Sequence, residues 1–152
     1  MQPDRLIFHL QQKLTQLIVK AGFDHHARFA LGCSGGVDST VLAFAAHAWA
    51  VETGRHLYAL VVDHRIQPDS ASRAQASLKR LHAMGLEAYG LCPPERPASS
   101  SQRSARMIRF GLLQGWCVEK RITGLVLAHH GDDQIETFAL RLEARSRACG
   151  LA

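Results

Sequence analysis

The chain has 152 residues, 47% of them apolar and 20% charged, with a formal net charge of +5 at neutral pH. That length supports one domain with its own core, and the composition excludes a disordered chain and, because the apolar runs are short, a membrane-spanning helix. The positive excess gathers in the last third, at Arg103, Arg106, Arg109, Lys120, Arg121, Arg141, Arg145 and Arg147. It fits an acidic partner, nucleotide phosphates or nucleic acid, as well as it fits a solvated helix face. Four cysteines, Cys33, Cys92, Cys117 and Cys149, form no C-x-x-C pair, so no zinc, iron–sulfur or redox motif is visible. With Asp4, Arg5 and Lys13 near the start and no long apolar run there, a reduced, cytoplasmic protein is expected.

In chain order, residues 3–21 set Leu6, Ile7, Leu10, Leu14, Leu17 and Ile18 on one helical stripe that Gly22 closes. A strand over 28–32 leads through a glycine-rich turn into a helix over 39–52, ended near Gly54. Residues 57–63 are apolar enough for a strand buried on both faces. Asp69 or Ser70 caps a helix running to Met84, and a weaker strand covers 87–91. Pro93, Pro94, Pro97 and the serines at 99–101 make 92–101 a loop before a helix over 102–120. A strand over 124–129 then meets a last helix over 132–147, capped by Asp132 or Asp133. Strands alternating with helices predict an α/β fold, a doubly wound parallel sheet in a single domain over 28–152, preceded by a helix and linker over 1–27. Ligands in such sheets bind at the carboxyl ends of the strands, which gathers residues 34–39, Asp63, His64 and 129–133 on one edge.

Ser34, Gly35, Gly36, Val37, Asp38 and Ser39 occupy the first of these turns. Two adjacent glycines let backbone N–H groups converge on an anion, and the helix start adds unpaired N–H groups and partial positive charge. Asp38 can hold a metal ion that bridges phosphates. The P-loop spelling fails because no lysine lies between Lys20 and Lys79, and Gly32, Gly35 and Gly36 have the wrong spacing for a dinucleotide fingerprint. What remains, S-G-G-V-D-S, resembles the signature of the PP-loop, or N-type, ATP pyrophosphatases. The resemblance implies an adenine nucleotide α-hydrolase-like sheet that cleaves ATP between the α- and β-phosphates, transferring AMP to a substrate oxygen.

A second cluster, His129, His130, Asp132, Asp133 and Glu136, follows the fourth strand. On a helix Asp133 and Glu136 share a face, and acids in a first turn are stabilised by the helix dipole. Such a cluster can bind a metal or a cationic substrate, move a proton, or simply cap a helix; beside a phosphate loop, magnesium is a more economical cation than zinc.

Here A-H-H-x-D-D-Q-x-E-T resembles the second signature of the tRNA(Ile)-lysidine synthetase family. Val62-Asp63-His64 with Pro68-Asp69-Ser70 and Ala105-Arg106 with Arg109-Phe110 resemble further family segments in the same order. The resemblance covers residues 28–152 and implies a C–N-bond-forming ligase acting on the anticodon of an isoleucine tRNA. ATP and Mg²⁺ would be required, with L-lysine as co-substrate. It implies ATP contacts from residues 34–39, Asp63, His64, Arg106, Arg109 and His129, a metal on Asp38, and lysine held by Asp133 and Glu136. Asp38, Asp133 and Glu136 are thus the implied catalytic residues. Family members continue into further tRNA-gripping domains past the point where this sequence stops, so an ATP- or tRNA-binding module without turnover is the alternative of a different class. A tRNA 2-thiolase is the alternative within PP-loop enzymes. The sequence departs from the family at Arg65-Ile66-Gln67, where a glycine-leucine-arginine run is usual.

Overall fold

A computed structural model of the protein describes residues 3–25, 27–122, 124–128 and 135–139. The elements are α1 (Pro3–Lys20), β1 (Arg28–Cys33), α2 (Val37–Glu52), β2 (His56–Val62), α3 (Ser70–Ala83), β3 (Glu87–Leu91), α4 (Gln102–Lys120), β4 (Gly124–Ala128) and β5 (Ile135–Ala139). They form one sheet in the order β3-β2-β1-β4-β5. The first four strands are parallel, as expected from the alternation of strand and helix, with Leu31 of β1 opposite Ala59 of β2 and Val126 of β4.

Period-two alternation divides the core between the two sheet faces. On one face, Phe29, Leu31 and Cys33 of β1 and Val61 of β2 pack with Leu42, Ala46 and Trp49 of α2, Leu81 of α3, and Leu14 and Ile18 of α1. On the other, Ala30, Leu60, Leu125 and Leu127 pack with Leu113 and Cys117 of α4 and with Ile122. Helices on both faces make the sheet doubly wound. Trp49 ties the layers together: its ring meets Phe29 edge-on at 5.5 Å, and its Nε1 donates to Thr15 Oγ1 of α1 at 3.0 Å.

The winding reverses at β1. The chain goes β1 to β2 to β3 by way of α2 and α3, then crosses back through α4 to place β4 on the far side of β1. Right-handed crossovers in opposite directions put their helices on opposite faces, so a crevice opens at the carboxyl ends of β1 and β4.

One element differs from the sequence reading. Within the helix expected over 132–147, residues Ile135–Ala139 form β5, antiparallel to β4, with Leu127 opposite Glu136 and Ala128 opposite Ile135. The β-branched Ile135 and Thr137 and the aromatic Phe138 favour an extended chain, and the open edge of β4 supplies hydrogen-bonding partners that a helix does not need. The shared helix face expected for Asp133 and Glu136 therefore does not form, because Glu136 is in a strand. The rest of that expected helix, with its caps Asp132 and Asp133, lies outside the described residues.

Close packing between the sheet strands gives a test. A Cβ on Gly124 would lie 2.4 and 2.7 Å from ring carbons of Phe29, which is completely buried. Gly124→Ala should lower stability by about 1–3 kcal/mol, read as a lower urea midpoint at unchanged m-value.

Candidate functional site

β1 delivers the chain into the crevice after Cys33. Gly35 has φ +85°, a left-handed conformation, and a Cβ there would lie 2.3 Å from Ser77 Oγ of α3. Both the torsion and the space demand glycine. Gly36 is the N-cap residue of α2 and brings no side chain to cap it. The serines brace the turn instead. Ser39, 2% exposed, donates from Oγ to the Gly36 carbonyl at 2.9 Å, and Ser34 Oγ donates to Ser39 Oγ at 3.2 Å. Thr40 Oγ1 donates to the same Gly36 carbonyl at 2.9 Å. Ser34, Val37 and Asp38 are exposed at the mouth, so the turn presents a helix N-terminus, a carboxylate and a hydroxyl to solvent together. The exposed Asp38 carboxylate and Ser34 hydroxyl are hard oxygen donors, of the kind that suits Mg²⁺ and not a thiolate-loving metal.

Asp63, just past β2, is committed to structure through one oxygen. Its Oδ1 accepts from Ser70 Oγ at 2.6 Å and from the Arg65 backbone N–H at 2.9 Å. The expected side-chain cap on α3 is therefore replaced: Asp69 is the N-cap residue but makes no side-chain cap bond, and Ser70 turns back to Asp63. His64 accepts at Nδ1 from the Ile66 N–H at 3.2 Å. Arg65 adopts φ +56°, and its guanidinium reaches the Pro94 carbonyl and Cys92 Sγ, each at 3.4 Å. Glycine adopts this torsion at no steric cost; here an arginine bears it and ties the 92–101 loop to the end of β2.

From the opposite sheet face, α4 brings Arg109 to the end of β1. Burial lowers the Arg109 pKa from its ordinary value, the neighbouring Cys33 pulls the other way, and Arg106 lowers it further. Arg109 stays charged, so a half-buried cation stands beside the turn and an exposed one, Arg106, stands next to it. The Ser101 Oγ, accepting from the Ser104 N–H at 3.1 Å, starts α4 at this same edge. Cys33 belongs to the core, and burial pushes its thiol up to about 12, which keeps it neutral.

The structure thus brings together residues 34–39, Asp63, His64, Arg106 and Arg109 on one edge. The register of β5 sets the backbone of Glu136 opposite Leu127, one residue before the end of β4. His129 and Asp133 lie outside the described residues. Two residues at the turn were not foreseen from the sequence, Ser77 and Arg80 of α3. Both are more than 40 positions from Gly35, and only the topology brings their helix against it.

Comparison with known proteins identifies the family and supports the fold. A family described as the PP-loop domain matches residues 6–152. A tRNA(Ile)-lysidine synthase of Rickettsia bellii is 35% identical over 127 residues, which is 83% of this chain and 30% of the relative. A tRNA(Ile)-lysidine synthase of Wolbachia pipientis is 34% identical over 142 residues, 91% of this chain and 33% of the relative. The chain therefore spans about a third of the length of these curated relatives. Among solved structures, the U34-tRNA thiolase NcsA from Methanococcus maripaludis superposes with a TM-score of 0.69 at 19% identity, over 84% of this chain and 46% of that one. That likeness supports the fold.

Three outcomes follow from the site. Replacing Arg65 by glycine removes a left-handed side chain at the cost of two exposed contacts, so Arg65→Gly should raise stability by about 0.5–1 kcal/mol in urea denaturation. The buried thiols of Cys33 and Cys117, pushed up to about 12 and about 11, have ordinary values of 9.0. Stability should be complete below pH 9, where both states are protonated. It should fall above it, by at most about 1.4 kcal/mol per pH unit for each thiol, as the unfolded chain alone ionises. At pH 8, a thiol reagent should label the exposed Cys92 in the folded protein and reach Cys33 and Cys117 only after unfolding.

Proposed function

Because the chain belongs to the PP-loop domain family, we propose that it is the ATP-using part of a lysidine-forming tRNA ligase. The observation that carries the proposal is the pairing of S-G-G-V-D-S with A-H-H-x-D-D-Q-x-E-T, in a chain 34–35% identical to tRNA(Ile)-lysidine synthases over most of its length. The PP-loop supports use of ATP, and the relatives' names support a tRNA as the other substrate.

In this reading the backbone N–H groups of residues 34–39 cradle the pyrophosphate portion of ATP. Mg²⁺ held through Asp38 would neutralise charge between the phosphates. Asp63, His64 and His129 line the nucleotide's place along the carboxyl edge, and Arg106 and Arg109 face ATP or the tRNA backbone. The wobble cytidine of an isoleucine tRNA presents its C2 oxygen to the α-phosphorus. The oxygen–phosphorus bond forms as the bond to pyrophosphate breaks, leaving the base adenylated. The amine of L-lysine, its ammonium held by Asp133 and Glu136, loses a proton and attacks C2, and AMP leaves with the oxygen. Such a displacement needs charge neutralisation and alignment from the protein more than covalent help, which is what a turn of N–H groups flanked by guanidinium groups supplies.

The test incubates the chain, and the full-length protein if it is longer, with Mg²⁺–ATP, an isoleucine tRNA and labelled lysine. Lysine should enter the tRNA with release of AMP and pyrophosphate. Asp38→Ala should abolish both. Glu136→Gln and Asp133→Asn should each raise the lysine KM by about tenfold or more, since each removes a charged hydrogen-bond partner, while pyrophosphate release stays near wild type. Binding of ATP with no release of pyrophosphate would sink the ligase reading and leave the binding module, and pyrophosphate release without lysine incorporation would sink it in favour of another PP-loop activity.

A further inference from the structure

The turn rests on α3, and α3 contributes a cation to it. Arg80 Nη2 donates to the Gly35 carbonyl at 3.2 Å and to Ser77 Oγ at 3.4 Å. Ser77 is 5% exposed and donates from Oγ to the Arg73 carbonyl at 2.9 Å, so its position is fixed by its own helix. Gly35 fits against Ser77 with no room for a Cβ. The loop's second residue is therefore held at two points, by contact with Ser77 and by a charged donor on its carbonyl oxygen.

Peptide planarity turns that grip into an aim. In a trans peptide the C=O and the following N–H point in opposite directions, and no cis bond occurs among the described residues. With the Gly35 carbonyl drawn towards α3, the Gly36 N–H faces away from it. A cationic donor on the carbonyl also polarises the same peptide unit and makes that N–H a stronger donor. Arg80 is exposed and belongs to neither core cluster, so replacing it removes no buried packing.

We propose that Arg80 is a positioning residue for the pyrophosphate end of the nucleotide, acting through the Gly35 carbonyl to fix and strengthen the Gly36 N–H. The inference rests on the PP-loop reading above and adds a residue of α3 to it. It predicts a selective effect: groups that bind at the turn feel Arg80, and an adenylate without the pyrophosphate does not.

The test compares wild type, Arg80→Leu and Arg80→Lys by calorimetric titration with Mg²⁺–pyrophosphate and with AMP, and by thermal unfolding without ligand. Arg80→Leu should weaken pyrophosphate binding about tenfold, the worth of one charge-assisted hydrogen bond, and leave AMP within about twofold. Its unliganded Tm should stay within about 2 °C of wild type, as for a surface substitution. Arg80→Lys, which keeps a cationic donor for the carbonyl, should recover most of the loss. Equal weakening of both ligands, no weakening of pyrophosphate, or no recovery with lysine overturns the proposal while the PP-loop reading stands. A wild-type chain without affinity for pyrophosphate overturns both.

Discussion

β1 must be apolar on both faces and still end in a polar turn, and the remainder of the molecule is arranged around that demand. It is the central strand, paired on one side with β2 and on the other with β4, and five of its six residues are buried. Burial from two faces requires helices on both, and so requires the chain to wind first one way and then the other. The reversal opens the crevice, and β1 ends in it. The position of the glycine-rich turn is thus a by-product of how the core is closed. The same geometry brings guanidinium groups to the turn from opposite faces, Arg80 from α3 and Arg109 from α4.

That arrangement divides labour. The residues exposed at the mouth, Ser34, Val37 and Asp38, can meet a ligand, while those beneath them, Ser39, Ser77 and Gly35, hold the backbone in shape. Rigid support under an exposed rim lets a short loop place several N–H groups without reorganising when an anion arrives. Asp63 belongs to the second group at least in part, since one of its oxygens holds Arg65 and Ser70.

Most of the sheet could be read from the sequence because its signals are local. The apolar run at 57–63, the stripe from Leu6 to Ile18, and the serine and proline breaks around 92–101 each report a single element, and the observed β2, α1 and α4 begin and end within a residue or so of those readings. The glycine-rich turn between β1 and α2 was legible for the same reason: its six residues are contiguous. Three features were not local. β5 was read as a helix because Asp132, Asp133 and Glu136 resemble a capped first turn, while the preference that prevails at Ile135–Ala139 depends on an open strand edge next door. Ser70 was read as a possible cap, but its hydroxyl is drawn to a carboxylate seven residues back. Ser77 and Arg80 gave no signal, because nothing in α3 by itself says which loop it will lie against. Arg65 did leave a trace, as a departure from glycine, and the positive φ found there supplies the reason.

The contact between Gly35 and Ser77 has a consequence for how this protein can evolve. Position 35 accepts no side chain, for torsional and steric reasons together, so all the freedom to vary lies on the other partner. Position 77 can shrink but cannot grow without lifting the turn off α3, although nothing in its own helix forbids a larger residue there. Sequence drift at position 77 of α3 is therefore constrained by Gly35, 42 positions earlier. Position 35 stays glycine, and a homologue with a bulkier residue at 77 must have moved its helix to make room.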